Sequence, residues 1–187
     1  VLNYAYPPEC VVLLPAPDPE VARFGGPRQP NCKWETSAMG PTGKTQAVQI
    51  HPTRRCNLQC LHCYSSSSPK ADESVDLDVL RDALDDLADE GYNWASFSGG
   101  EPLTYSALPE ALAHTRQVGM HTAMVTNGML LTPRRLDAIE EHIDLLVISL
   151  DGKPTSHNRM RNSAKAFEAM AMRLRSPRLL ERLPTHD

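Results

Sequence analysis

Three of the five cysteines in this chain of 187 residues share one loop, CNLQCLHCY, which sets Cys56, Cys60 and Cys63 in the spacing C-x3-C-x2-C. An odd number of cysteines, clustered this way, makes a poor disulfide framework and a good metal framework. Three thiolates on a short loop can ligate three irons of a cubane cluster and leave the fourth iron open. The ferredoxin run differs, because its fourth cysteine saturates the irons. Structural zinc wants four closed ligands, usually as two separated pairs. His62 could complete such a set, although its place beside Cys63 crowds joint ligation. Three inert buried thiols are the plainest alternative. The other chemistry-bearing segments are Ser98-Gly99-Gly100-Glu101-Pro102, Thr126-Asn127-Gly128, Ser149-Leu150-Asp151-Gly152 and the stretch from His157 to Phe167. Glycines let a backbone approach a ligand closely. Gly-Gly, Asn-Gly and Asp-Gly are also ordinary turn dipeptides.

The elements between these segments explain why they could meet. The apolar pattern predicts strands at 47–50, 94–97, 121–125 and 145–150, the last being the most apolar. Helices are predicted over 77–90, closed by Gly91, and over 108–118, closed by Gly119. A third starts at the Thr132 cap with Pro133 in its first turn and a stripe of Leu136, Ile139 and Ile143. A fourth runs over 163–175. Strand–helix units in series imply an α/β fold with a parallel sheet, since each crossover returns to the same edge. In such sheets chemistry sits at the carboxyl ends of the strands. The cysteine loop and the three glycine-bearing segments all fall there.

The chain is 41% apolar and 22% charged with a net charge of −4, a balance that argues against a protein held on nucleic acid by overall charge. The longest apolar runs span a few residues, so no membrane span and no secretion signal is expected. The reduced cysteines suit cytoplasm. Residues 72–90 carry nine acids against one Arg, and 153–182 carry eight bases against two acids; both read as solvated faces.

C-x3-C-x2-C after a first strand, followed by Gly-Gly-Glu-Pro after the second, resembles the radical S-adenosylmethionine (radical SAM) enzymes. The resemblance implies a [4Fe–4S] cluster on Cys56, Cys60 and Cys63, with S-adenosylmethionine chelating the open iron. It implies a 5′-deoxyadenosyl radical that abstracts hydrogen from a substrate, with the protein supplying position and exclusion of solvent. The H-C-Y ending resembles the branch that modifies peptides or matures enzymes and cofactors. Gly99 and Gly100 would lie along the methionine end of the cofactor, with Glu101 at the cofactor or fixing its own turn. A Cβ there is expected to intrude on the cofactor, so that Gly100→Val spares the cluster and weakens S-adenosylmethionine binding. Thr126, Asn127, Ser149 and Asp151 would hydrogen-bond the carboxylate, the ribose or the substrate. His157, Arg161 and Phe167 match the family's next stretch, where Asn158, Asn162 and Lys165 replace the usual Asp, Gly and Gly. The implied role of Arg161 is to pair with a carboxylate through its planar fork.

The expected domain organisation is a Pro-rich irregular leader over 1–45, a partial (β/α) barrel over 46–175 and a tail over 176–187. The leader's Cys10 and Cys32 read as free thiols. Four of the family's six strand–helix units can be counted, which reads as a truncated core or one that borrows strands from a partner chain. The expected partners are a peptide or small-molecule substrate and an external electron donor of the flavodoxin or ferredoxin type, with neither nucleic acid nor membrane. The alternative function is a non-catalytic iron–sulfur or zinc-binding remnant.

Overall fold

The computed structural model describes residues 45–176; the Pro-rich leader with Cys10 and Cys32, and the tail beyond Ser176, lie outside them. Four strands, β1 (Ala47–Ile50), β2 (Trp94–Phe97), β3 (His121–Thr126) and β4 (Leu145–Ile148), form one parallel sheet in the order β1-β2-β3-β4. Their ends stay in step. Ile50 pairs with Phe97, Phe97 with Met124, and Thr126 with Ile148. The expected open α/β sheet is therefore present, and four carboxyl ends lie side by side along one edge of it.

Helices fill the crossovers. α1 (Leu77–Asp89) begins where the Asp76 carboxylate accepts from the Asp78 N–H at 2.9 Å, and Leu80 and Leu84, four residues apart, bury one stripe. α2 (Leu108–Gln117) buries Leu108, Ala111, Leu112 and Thr115. These side chains close over Ala95, Phe97 and Met124 of the sheet to form the core. A fully buried Leu or Phe contributes about 1.5–3 kcal/mol by leaving water.

Four elements differ from the expectation. The helix capped by Thr132, α3 (Pro133–Asp137), is short, and a 3-10 turn at Glu140–His142 replaces its second half. Leu136 and Ile139 are buried all the same. The backbone there makes tighter bonds three residues apart, Ile139 N–H to the Leu136 carbonyl at 3.0 Å and His142 N–H to the Ile139 carbonyl at 2.9 Å. β4 ends at Ile148, and Leu145 and Val147 are 38% and 39% exposed although this is the most apolar strand. Among the described residues only β3 pairs with it, so its outer edge carries no neighbour there. Finally, α4 (Pro154–Met160) was not expected, and α5 (Ala166–Leu174) starts three residues late.

Asn158 joins these last two helices. Its Oδ1 accepts from the Phe167 N–H at 2.8 Å, capping α5 from outside, while its Nδ2 donates to the Ala164 carbonyl at 3.0 Å. Asn162, where the resembling family has Gly, sits at φ +50°. Asn is among the few residues with a side chain that visit the left-handed region readily, so the turn keeps a glycine-like backbone without glycine.

Candidate functional site

The strand-end edge is built on the segment that leaves β1. The Arg54 N–H donates to the Glu73 carbonyl at 2.9 Å, and the Cys56 N–H to Ser68 at 3.2 Å, closing the cysteine loop at its base. Two further bonds hold its middle. Asn127 Nδ2, beyond β3, donates to Asn57 Oδ1 at 2.9 Å. The Leu61 N–H donates to the Met160 carbonyl at the end of α4, also at 2.9 Å.

All three thiols are free, Cys56 buried and the other two half-buried. Each sulfur faces a donor. The Leu58 N–H lies 3.4 Å from Cys56 Sγ, Arg161 Nη1 3.9 Å from Cys60 Sγ, and the Ser67 N–H 3.3 Å from Cys63 Sγ. Ser65 Oγ adds a second contact to Cys63 at 3.4 Å. Burial pushes the Cys56 thiol up to about 11. Cys60 is also raised, by burial first, against the charge and hydrogen bond of Arg161. Cys63 is lowered: its burial is outweighed by the hydroxyl and N–H groups of the serines that follow it.

The Gly-Gly turn packs against this loop. The Gly100 N–H donates to the Thr53 carbonyl and the Glu101 N–H to the Arg55 carbonyl, each at 2.9 Å. Gly99 takes φ +103°, open to glycine and strained for other residues. A Cβ on Gly100 would stand 2.1 Å from the Arg55 carbonyl oxygen. The direction expected for that Cβ is thus corrected: it points into the backbone that carries Cys56, and the glycine is there so that two chain segments can touch.

Glu101 is buried and spans two strand ends. Its carboxylate accepts from Thr126 Oγ1 at 2.6 Å, the Asn127 N–H at 2.9 Å and the Leu103 N–H at 3.2 Å. Burial raises its pKa against these three donors. Glu101 and Thr126 therefore satisfy each other, and Thr126 Oγ1 also accepts from the Gly128 N–H at 3.1 Å. Asn127 is likewise committed, its Oδ1 accepting from the Met129 N–H at 3.0 Å. These three residues brace the turn and the loop. Ser149 stands half-buried just past β4, its N–H on the Thr126 carbonyl at 2.9 Å.

Asp151 and Arg161 come together as a pair. Arg161 Nε donates to Asp151 Oδ2 at 2.6 Å and Nη2 to Oδ1 at 3.2 Å, a bidentate contact. The Asp151 N–H donates to Nδ1 of buried His157 at 3.3 Å, and the His157 ring meets Phe167 edge-on. Burial first, and then the Arg161 charge, keep His157 below its usual pKa. His62 Nε2 lies 3.8 Å from Asp151 Oδ1. The carboxylate that Arg161 was expected to grip is, in this structure, the chain's own.

Some participants carried no signal strong enough to single out. Asn57 is an unremarked loop residue whose partner lies 70 positions away. Ser65 and Ser67 belong to the serine run 65–68, and Ser65 Oγ also donates to the Gly99 carbonyl at 3.2 Å, tying loop to turn. The Tyr64 hydroxyl lies 3.1 Å from His51 Nε2 and 3.5 Å from Ser98 Oγ, at the ends of β1 and β2.

The donor set suits an iron–sulfur cluster. Three free sulfurs on one loop each meet an N–H donor, which is what a cluster thiolate takes from its surroundings. Among the described residues no group of three or more His, Cys, Asp or Glu could hold a single metal ion. A cubane needs no such convergence, since it takes one thiolate per iron.

A parallel α/β sheet with a three-cysteine loop at its carboxyl edge defines a class of cluster-binding domain. The family model of the radical SAM superfamily matches residues 50–174, and the chain belongs to that superfamily. Its members use a [4Fe–4S] cluster and S-adenosylmethionine. The Fe-coproporphyrin III synthase of Methanosarcina barkeri (strain Fusaro / DSM 804) is 34% identical over 128 residues, 67% of this chain and 32% of that protein. The PqqA peptide cyclase of Xanthomonas axonopodis pv. citri (strain 306) is 32% identical over 149 residues, 73% of this chain and 40% of that one. The chain thus spans well under half the length of both. In fold it is similar to Streptococcus suis SuiB bound to S-adenosylmethionine, with a TM-score of 0.57 at 18% identity, over 68% of this chain and 30% of that structure. Among the described residues no helix is long and apolar enough to cross a membrane.

Proposed function

We propose that Cys56, Cys60 and Cys63 hold one [4Fe–4S] cluster with an open iron, and that S-adenosylmethionine binds on that iron along the ends of β2, β3 and β4. The cluster and cofactor would supply one-electron cleavage of the sulfonium to a carbon radical for hydrogen abstraction. The observation that carries this reading is the set of three sulfurs on one braced loop, each opposite an N–H donor. The chain's own residues do the positioning. Glu101 locks the Gly-Gly turn to the end of β3, Asn127 ties β3 to Asn57, and Gly99, Gly100 and Ser149 offer close-approaching backbone and a hydroxyl to the methionine end. The substrate class we favour is a peptide, on the likeness to a peptide cyclase. The likeness to Fe-coproporphyrin III synthase supports a cofactor precursor as the second reading. The reducing electron comes from an external donor of the flavodoxin or ferredoxin type.

Anaerobic reconstitution tests the first step. About four irons and four sulfides per chain are expected, with visible absorption and an electron paramagnetic signal that shifts on adding S-adenosylmethionine. One bound zinc without visible absorption would overturn the reading. A cluster whose signal ignores S-adenosylmethionine would support an iron–sulfur remnant instead.

A further inference from the structure

Arg161 closes α4 and reaches back to the cysteine loop. Its guanidinium is a rigid plane with five N–H donors. Nε and Nη2 are taken by the two Asp151 oxygens, and the remaining nitrogen, Nη1, is the one 3.9 Å from Cys60 Sγ. The pair is sheltered, the Arg161 side chain being 12% exposed. Asp151 is itself held by its N–H on buried His157. A clamp on two nitrogens of a planar group fixes where the third one points.

We propose that Arg161, aimed by Asp151, raises the reduction potential of the cluster by donating to the Cys60 sulfur. The proposal rests on the reading that Cys60 ligates a cluster. One-electron reduction adds negative charge to the cluster, so a cationic donor at a ligating sulfur stabilises the reduced form more than the oxidised form. Asp151 then acts as a positioning residue with an unusual sign. A carboxylate near a cluster should lower its potential by charge alone, whereas this one raises it by holding the guanidinium in place. The two effects separate when Arg161 is removed.

The test uses the full chain, reconstituted anaerobically without S-adenosylmethionine. Iron content and visible absorption are measured first; if the wild type takes no cluster, it is the reading of the cysteine loop that fails. Potentials then come from redox titration followed by electron paramagnetic resonance. Arg161→Met should shift the ratio of reduced to oxidised cluster about tenfold toward oxidised at a fixed applied potential, about 59 mV for a one-electron couple. Asp151→Ala should shift the wild type in the same direction and the Arg161→Met variant in the opposite direction. A ratio within about twofold of wild type for Arg161→Met, or an Asp151→Ala change that raises the potential in both backgrounds, overturns the proposal. If Arg161→Met loses the cluster, Arg161→Lys takes its place. It keeps the charge without the fork and should still lie below the wild type, so that equality would overturn the proposal.

Discussion

At Gly100 a single methyl group would meet the Arg55 carbonyl oxygen at 2.1 Å, closer than any real side chain tolerates. The carbonyl belongs to the residue before Cys56, so relief of the clash displaces the cysteine loop. Gly100→Val should therefore lose most of its iron after reconstitution, together with its S-adenosylmethionine affinity. Iron analysis beside equilibrium dialysis checks this; full iron with weakened cofactor binding would show that the Cβ meets the cofactor after all. Glu101 offers a test with pH. Burial raises its folded pKa above the ordinary 4.5, so its contribution to stability is full below that pH and is lost as pH rises through the folded value. The stability of the wild type relative to Glu101→Gln, from urea unfolding over roughly pH 4 to 8, should fall as pH rises. A difference independent of pH would mean that the carboxyl does not change its pKa on folding.

Among the elements, α4 and α5 show what a helical junction gains from one amide side chain. Asn158 caps α5 across a turn, with 2.8 Å to the Phe167 N–H. Asn158→Ala should cost about 1 kcal/mol, the usual loss for an N-cap, read as a lower urea midpoint. At Asn162, φ +50°, a β-branched residue should cost about 1–2 kcal/mol while Gly is tolerated; equal losses for Asn162→Val and Asn162→Gly would contradict the backbone argument. These elements also mark how far local sequence reaches. β1 and β2 match their expected bounds because Pro52 follows the first, and Gly91 and the Ser98-Gly99-Gly100 turn bracket the second. α4 escaped because seven residues hold too little periodicity and because Lys153, unlike Thr132, caps nothing with its side chain, although Pro154 stands where Pro133 stands in α3. The cysteine spacing and the strand-end glycines were legible because ligand spacing is local. The Glu101–Thr126 and Asp151–Arg161 pairs were not, because each depends on which side chain the fold turns toward which.

At the largest scale, the described residues cover the sheet unevenly. α1 and α2 close one face, while β4 leaves Leu145 and Val147 about two-fifths exposed. An apolar strand edge of this kind invites pairing with another chain. Val147→Lys should leave the unfolding midpoint nearly unchanged and reduce concentration-dependent self-association in sedimentation; unchanged association would place the contact elsewhere. The cysteine loop, by contrast, is fastened to β3 through Asn57 and to α4 through the Leu61 amide. Neither of these bonds uses a cysteine sulfur, so neither is given up when the sulfurs ligate iron. Hydrogen exchange at the Leu61 amide should then already be slow in metal-free protein, and iron uptake should proceed without a preceding folding phase. The free energy that other metal loops spend on becoming ordered would remain available for holding the cluster.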